Sequence, residues 1–236
     1  MEKNKYNKEI GENSLIFYEE ATENLQGERA DQISSFLQIY SEHFEFPTIE
    51  CIETGASQNI ADGCFGVLLA RMCQSLGGIF HSVDIDPEVL KKSVDLYESI
   101  LPGFQINHHL ENSVEFLNKY PGSPNLVHLD SWDLDLKNPV PSMLHGWLEF
   151  DAISDKMPSG SICLIDDNFL KGTFTWWNFI NSNGDISHGE VIETTYDIVG
   201  KGALVYHWAQ REETDWDLIG DHYQPGKNIK LILKKR

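Results

Sequence analysis

Three aspartates lie within a window of six residues at the end of an apolar stretch. The segment NLVHLDSWDLDL, residues 125–136, carries Asp130, Asp133 and Asp135 after its apolar half. Carboxylates this close repel one another unless a cation, hydrogen-bond donors or open solvent offset their charge. A second acidic group, Asp166–Asp167–Asn168, follows the apolar run SICLI. A cation, hydrogen-bond donors or open solvent must therefore accompany the acids.

The elements that position these acids alternate along the chain. Apolar spacing predicts helices, and apolar runs predict strands. The helices fall in 31–44, 65–76, 87–101, 111–120 and 141–157, and the strands in 48–55, 78–86, 103–110, 125–130 and 160–168. Beyond residue 170, GALVYHWA (202–209) and NIKLILKK (228–235) are the best further strands.

Strands that recur between helices and are apolar throughout are typical of a parallel sheet buried on both faces. We therefore predict an α/β fold with a Rossmann-like, mostly parallel, seven-stranded sheet and helices on both faces. We also predict that residues 1–46 form an N-terminal arm and a helix packed on the core, and that residues 47–236 form the binding domain.

Polar side chains follow every predicted strand of the first five. In an open parallel sheet, ligands bind beyond the carboxyl ends of the strands. The candidates are Glu53, Gly55, Ser57 and Gly63 after the first strand, Asp84 and Ile85 after the second, Asn112 and Ser113 after the third, Asp130 after the fourth, and Asp166, Asp167 and Asn168 after the fifth. We expect them to meet along one edge of the sheet.

The first two strand ends indicate a nucleoside ligand. Gly55 permits a tight turn and a close approach of the backbone to a ligand. Asp84, at the end of the second strand, can accept hydrogen bonds from both hydroxyls of a ribose. The loop from Gly55 to Gly63 is not a strict G-x-G-x-x-G and lacks the G-K-[ST] of a phosphate-binding loop. A nucleoside without phosphates therefore fits better than a dinucleotide.

At these motifs the sequence resembles the class I S-adenosylmethionine-dependent methyltransferases. IETGAS is similar to their first motif and SVDIDPE to their ribose-binding motif, and the likeness runs from about residue 48 to 170. Within that class, LDSW (129–132) and Asp167–Asn168 resemble the metal-dependent O-methyltransferases of the catechol type.

The resemblance implies S-adenosylmethionine as the cofactor, bound by the candidates from Glu53 to Asp130. It also implies that Asp130, Asp167 and Asn168 bind Mg²⁺ or a similar divalent cation. The family has a catalytic lysine three residues after its first metal aspartate, and Asp133 stands there in this chain.

Two interpretations of the acids stay open. In the first, the Mg²⁺ ion binds a hydroxyl of the acceptor, lowers the pKa of that hydroxyl and aligns it with the methyl group. In the second, Asp130 contacts the amine of the cofactor and Asp167 caps a turn.

The identity of the proton acceptor is open as well. The catalytic candidates are Asp130, Asp133 and His145. His145 begins a pair with Glu149 that could be a base with its orienting carboxylate, or an ordinary pair on a helix surface. Lys201, flanked by two glycines, is a weaker candidate for a functional cation.

The charge of the chain bears on its partners. The formal net charge of the 236 residues is -19, which repels nucleic acid and anionic membranes, so we expect neither as a partner.

The four cysteines form no C-x-x-C pair and are expected to be small core residues in a reducing compartment. With no signal sequence or spanning run visible, we expect a cytoplasmic location. The oligomeric state stays open, and a homo-oligomer is compatible with the sequence.

The leading hypothesis is an S-adenosylmethionine-dependent O-methyltransferase, assisted by Mg²⁺, that acts on a small hydroxylated acceptor such as a sugar or natural product. The alternatives are an NAD(P)-dependent reductase and a non-catalytic nucleoside-binding protein on the same fold.

Overall fold

The computed structural model describes residues 28–59, 64–179, 186–220 and 228–236. The helices are α1 (Glu28–His43), α2 (Cys64–Leu76), α3 (Pro87–Ile100), α4 (Ser113–Lys119), α5 (Val140–Ser154) and α6 (Ala203–Ala209). The strands are β1 (Glu50–Thr54), β2 (Ile79–Asp84), β3 (Ile106–Leu110), β4 (Leu126–Leu129), β5 (Ile162–Phe179), β6 (Ile186–Gly200), β7 (Trp216–Leu218) and β8 (Asn228–Lys235). Every helix and strand predicted before residue 168 is present.

The strands form one sheet in the order β3-β2-β1-β4-β5-β8-β7. Strands β1 to β5 pair in parallel, whereas β8 is antiparallel to both β5 and β7. The prediction of a Rossmann-like, mostly parallel sheet with helices on both faces is confirmed. The described residues form eight strands rather than seven, because β6 and β7 were not predicted and the predicted strand at GALVYHWA is a helix.

Alternate residues of each strand fill two cores on opposite faces of the sheet, because successive side chains of a strand point to opposite sides. In β1, Cys51 belongs to one core and Ile52 to the other. The first core is covered by α1, α2 and α3, and the second by α4, α5 and α6. Cys51, Cys73 and Cys163 are buried free thiols in these cores, as predicted. Because helices cover both faces, the carboxyl ends of the parallel strands are where a ligand is expected to bind.

Helix α1 packs on the first core. Ile33, Phe36 and Tyr40, spaced at helical intervals, are fully buried there. Residues 1–27 of the predicted arm lie outside the described residues, so the division of the chain at residues 46 and 47 stays a prediction.

The segment GALVYHWA forms helix α6 rather than the predicted strand. A short apolar run cannot be assigned to helix or strand from its periodicity alone. Here Ala203, Val205 and Ala209 are buried, and the ring of Trp208 packs edge-on against Phe150 of α5 at 5.4 Å. The segment therefore packs against a helix instead of pairing in the sheet, and it is itself helical. The strand predicted at NIKLILKK is confirmed as β8.

Among the helices that the structure describes, none has the length and apolar character needed to cross a membrane.

Candidate active site

A cleft of about 410 Å³ opens at the carboxyl ends of the parallel strands. It brings together most of the predicted site residues, which come from five strand ends and from α5. Those that line it are Gly55, Ser57, Asp84, Ile85, Asn112, Ser113, Asp130, Asp133, His145 and Asp167. Glu53 and Asn168 are not among the lining residues, and Gly63 lies outside the described residues.

The glycine turn after β1 is held by a close contact with the end of β4. Gly55 has a φ of +78°, a conformation that glycine adopts without strain. Its N–H donates to the carbonyl of Val83 at 3.0 Å. A Cβ at this position would lie 2.5 Å from the carbonyl oxygen of Asp130. Any side chain larger than hydrogen would therefore push the loops after β1 and β4 apart.

Asp84 ties the first loop to the second at the rim of the cleft. Its Oδ2 accepts a hydrogen bond from the N–H of Ala56 at 2.9 Å, and its Oδ1 accepts one from the N–H of Asp86 at 2.8 Å. A carboxylate oxygen can accept two hydrogen bonds. Asp84 is thus oriented by the backbone and keeps the capacity to accept hydrogen bonds from a ligand.

Glu53 lies beneath the cleft rather than in its wall. It is 1% exposed, and its carboxylate accepts hydrogen bonds from the hydroxyls of Ser57 at 2.7 Å, Ser82 at 3.0 Å and Tyr97 at 3.1 Å. Burial raises the pKa of Glu53 to about 7, although the three hydroxyl donors pull it down. Direct binding of a ligand by Glu53 was predicted. In the structure, Glu53 is connected to the cleft through its hydrogen bond with Ser57, which lines the cleft.

A buried ammonium group lies between two of the predicted metal ligands. The Nζ of Lys201 donates to Oδ1 of Asp130 at 2.7 Å and to the carbonyl of Asp130 at 3.0 Å, and it forms an ion pair with Oδ2 of Asp167 at 3.0 Å. Burial by itself lowers the pKa of Lys201, but the nearby carboxylates, Asp130 first among them, outweigh this and raise it above its ordinary value. The cation that offsets the charge of these acids is therefore the side chain of Lys201.

Asn168 has a different role from the predicted one. It is fully buried, and its amide nitrogen donates to the carbonyls of Ile165 at 2.9 Å and Asp166 at 3.0 Å. Its amide oxygen accepts a hydrogen bond from the N–H of Gly202 at 2.6 Å. Asn168 thus fixes the turn that carries Lys201. The predicted Mg²⁺ site does not fit, since one ligand is committed to the backbone and an ammonium group binds the other two.

An irregularity in β5 places two consecutive acids at the cleft. The pairing register of β5 with β8 shifts between Ile165 and Asn168, and Asp167 has a φ of +50°. Regular strands alternate their side chains between faces, and such irregularities break the alternation. As a result, Asp166 and Asp167 both line the cleft.

A second lysine pairs with Asp166 below the cleft. The Nζ of Lys230 makes a short ion pair with Oδ2 of Asp166 and lies 4.2 Å from the centre of the Phe65 ring. The ligand atoms of His128, Asp130 and Asp166 lie within 4.8 Å of one another, but Lys201 and Lys230 already bind the two carboxylates. The acids are therefore paired with ammonium groups from the chain itself.

His145 belongs to a network that joins three elements. Its Nε2 lies 2.8 Å from Oγ of Ser131 and 3.2 Å from Oγ of Ser113. The hydroxyl of Ser131 donates to Oε1 of Glu149 at 2.6 Å. Burial raises the pKa of Glu149, but the hydrogen bonds of His145 and Ser131 outweigh it and lower the pKa overall. Because Glu149 is 1% exposed, the interpretation as an ordinary surface pair is wrong.

The remaining catalytic candidate, Asp133, is an exposed residue on the cleft rim. Its neighbour Trp132 is 57% exposed, has a φ of +65°, and places its ring 5.2 Å from that of His145. Ser131, Trp132 and Lys230 were not predicted as site residues, although LDSW (129–132) was recognised as a motif. Their roles depend on loop geometry and on residues distant in sequence.

No protein-family model matches the sequence, and a search of curated proteins finds no significant match. Solved structures do match. TrmN from Thermus thermophilus aligns over 87% of this chain and 49% of its own, with a TM-score of 0.52 and 11% identity. This chain thus spans about half the length of TrmN.

Two further structures match over nearly their whole length. SMU.1697c from Streptococcus mutans, assigned as a methyltransferase and solved in complex with SAH (S-adenosylhomocysteine), covers 89% of this chain and 100% of its own, with a TM-score of 0.51 and 8% identity. A Clostridium thermocellum protein assigned as an rRNA methylase covers 86% and 95%, with a TM-score of 0.51 and 7% identity. The chain has the fold of the class I S-adenosylmethionine-dependent methyltransferases. These matches do not single out the catechol type.

The predicted exclusion of nucleic acid as a partner is wrong. It depended on the net charge of -19, yet a structure of this fold is assigned as an rRNA methylase. A net charge sums the whole chain and does not describe the potential at one cleft. The charge therefore sets no limit on the class of acceptor.

Proposed function

We propose that this protein transfers a methyl group from S-adenosylmethionine to a hydroxyl group of a small acceptor. One observation carries the proposal. Gly55, Asp84 and Asp130 line a single cleft at the carboxyl ends of three neighbouring parallel strands, within a methyltransferase fold.

The cleft suits the cofactor in size and in polarity. Its volume of about 410 Å³ lies within the range of about 300–1,000 Å³ that is usual for small-ligand sites. Asp84, held by two backbone N–H groups, is oriented to accept hydrogen bonds from the ribose. Asn112 caps α4 by accepting the N–H of Glu115 at 3.2 Å, and it lines the same cleft with Ser113. We assign these two residues to the adenine end.

When bound, S-adenosylmethionine supplies a methyl group on a sulfonium that a nucleophile can take. Asp130 and Asp167, whose side chains are 29% and 26% exposed, line the cleft together with Lys201, which is 3% exposed. Either carboxylate can hold the acceptor's hydroxyl by a hydrogen bond and take its proton as the oxygen bonds to the methyl carbon. The electron pair of the broken carbon–sulfur bond stays on sulfur. Asp133, on the rim, is an alternative proton acceptor.

The sheet argues against the reductase alternative. The dinucleotide-binding fold has its strands in the order 3-2-1-4-5-6, built from two parallel halves. Here β5 is followed in the sheet by β8, which is antiparallel to it. The remaining alternative is a nucleoside-binding protein without turnover. It differs from the proposal only in that it transfers no methyl group, so an activity assay must separate the two.

Titration calorimetry with S-adenosylhomocysteine tests the cofactor. The variant Asp84→Asn keeps the side-chain shape but removes the charge. It should weaken binding by about 10- to 150-fold, which corresponds to a lost charge-assisted hydrogen bond of about 1.5–3 kcal/mol. Asp95→Asn, at an exposed position of α3, is the matched control and should bind like the wild type. Wild-type protein that binds no S-adenosylhomocysteine would refute the proposal.

Transfer is tested separately with a methyl-labelled donor. The proposal expects label in small hydroxylated compounds. Label that appears only in RNA would replace the proposed acceptor class, and a protein that binds S-adenosylhomocysteine but labels no acceptor would favour the non-catalytic alternative.

A further inference from the structure

Three protein oxygens converge on one buried point between the end of β4 and the irregularity in β5. Oδ1 and the carbonyl of Asp130 and Oδ2 of Asp167 lie 2.7, 3.0 and 3.0 Å from the Nζ of Lys201. A set of converging carboxylate and carbonyl oxygens is what a hard divalent cation prefers. In this chain an ammonium group from the end of β6 fills that point.

We infer that the Lys201 ammonium takes the place of the divalent cation of the metal-dependent methyltransferases, so that Asp130 and Asp167 are positioned without a metal. The inference rests on the proposed function, because the metal-dependent methyltransferases are the family in which the two matching aspartates bind a metal.

The backbone around Lys201 is built to hold it at this point. A Cβ on Gly200 would meet the carbonyl of Asp167, and a Cβ on Gly202 would meet the amide oxygen of Asn168. A Cβ on Gly146 of α5 would meet the carbonyl of Lys201. The glycines on both sides of Lys201 thus let the turn from residue 200 to 202 pack closely against its neighbours. This packing fixes the position of the Lys201 backbone.

An ammonium group in place of a divalent cation changes the charge of the site that an acceptor meets. A divalent ion neutralises two carboxylates, whereas one ammonium leaves Asp130, Asp167 and Lys201 with a net charge of about −1 when all three are ionised. A lysine ammonium has three donors, and here the Nζ of Lys201 has three protein oxygens within 3.0 Å. Lys201 therefore offers the acceptor no open coordination position, and its ammonium group is engaged by the protein.

A particular acceptor class follows. A metal site holds an acceptor through two neighbouring oxygens and stabilises an oxyanion. A site with a residual negative charge disfavours an oxyanion and favours a neutral hydroxyl that donates a hydrogen bond to Asp130 or Asp167. We expect an acceptor with a single neutral hydroxyl to be methylated as readily as one with a chelating pair of oxygens.

Titration with Mn²⁺ tests the inference without cofactor or acceptor. Lys201→Ala leaves the three oxygens without their cation, so this variant should gain saturable Mn²⁺ binding, and Mn²⁺ should raise its Tm. In the double variant Asp130→Asn/Lys201→Ala, both effects should be lost. Folded Lys201→Ala protein that binds no Mn²⁺ would overturn the inference.

The wild type provides a test that does not depend on the folding of Lys201→Ala. Mn²⁺ binding by the wild type that disappears in Asp130→Asn would show a metal site beside Lys201 and overturn the inference. Wild-type protein without Asp130-dependent binding supports it. Since S-adenosylhomocysteine is absent from these titrations, a failure of the proposed function is seen separately, as absent S-adenosylhomocysteine binding.

Discussion

At the scale of single residues, the acids of the site could be predicted directly, whereas Lys201 was only a weaker candidate for a functional cation. Asp84, Asp130 and Asp167 each follow an apolar run, so a parallel sheet must bring them to one edge. Lys201 lies 71 residues from Asp130 in sequence and reaches it only through the pairing of β6 with β5. Its flanking glycines were the available signal, since both permit close packing against the end of β5.

The same limit applies to Asn168. Its sequence position beside Asp167 suggested a metal ligand, but its place in the β5 irregularity directs its amide to backbone groups. A strand irregularity leaves no pattern in composition or periodicity, so the direction of a side chain within it could not be predicted.

Glu53 makes a testable prediction about pH. Its pKa is raised from the usual 4.5 to about 7 by burial, so its favourable contribution to folding is fully present below about pH 4.5 and is lost as the pH rises to about 7. The loss is on the order of 3 kcal/mol. In Glu53→Gln the free energy of unfolding should lose this dependence, as measured by urea unfolding between pH 5 and 8. Glu98→Gln, an exposed glutamate of α3, is the control. An unchanged pH dependence in Glu53→Gln would contradict the assignment.

At the scale of elements, helix α5 does more than cover the sheet. Its His145 and Glu149 bind Ser113 at the start of α4 and Ser131 after β4, and its Gly146 packs on the carbonyl of Lys201. The sequence predicted this helix and the i, i+4 pair. It did not predict that the pair is buried, because burial depends on where the β4 loop runs.

The contact at Gly146 gives a prediction with a defined sign. An alanine would raise helix propensity by about 1 kcal/mol, but its Cβ would overlap the Lys201 carbonyl, and overpacking costs about 1–3 kcal/mol. We expect Gly146→Ala to lower the free energy of unfolding and to weaken S-adenosylhomocysteine binding. Asp151→Ala, at an exposed position of the same helix, should change neither by as much. A gain in stability in Gly146→Ala would show that the turn moves freely away from α5.

At the scale of the whole molecule, the sheet could be predicted as far as β5, where apolar runs and helices alternate. Of the later elements, β8 was predicted but β6, β7 and α6 were not, because β5 runs on to Phe179 and pairs with β6, and because α6 is an apolar run that packs on a helix. These late elements bring Lys201 and Lys230 to the acids. The net charge of -19, in contrast, proved a poor guide to partners, since it averages over surfaces that a ligand never meets.

We propose that the strand ends of this sheet form one binding site for an adenosyl ligand. A crystal structure of the protein with S-adenosylhomocysteine would locate that ligand. We predict electron density for the ligand in the cleft, with its ribose hydroxyls in hydrogen-bond contact with Asp84 and its sulfur turned toward Asp130 and Asp167. Density for the ligand outside this cleft, or a bound ribose that makes no contact with Asp84, would contradict the account.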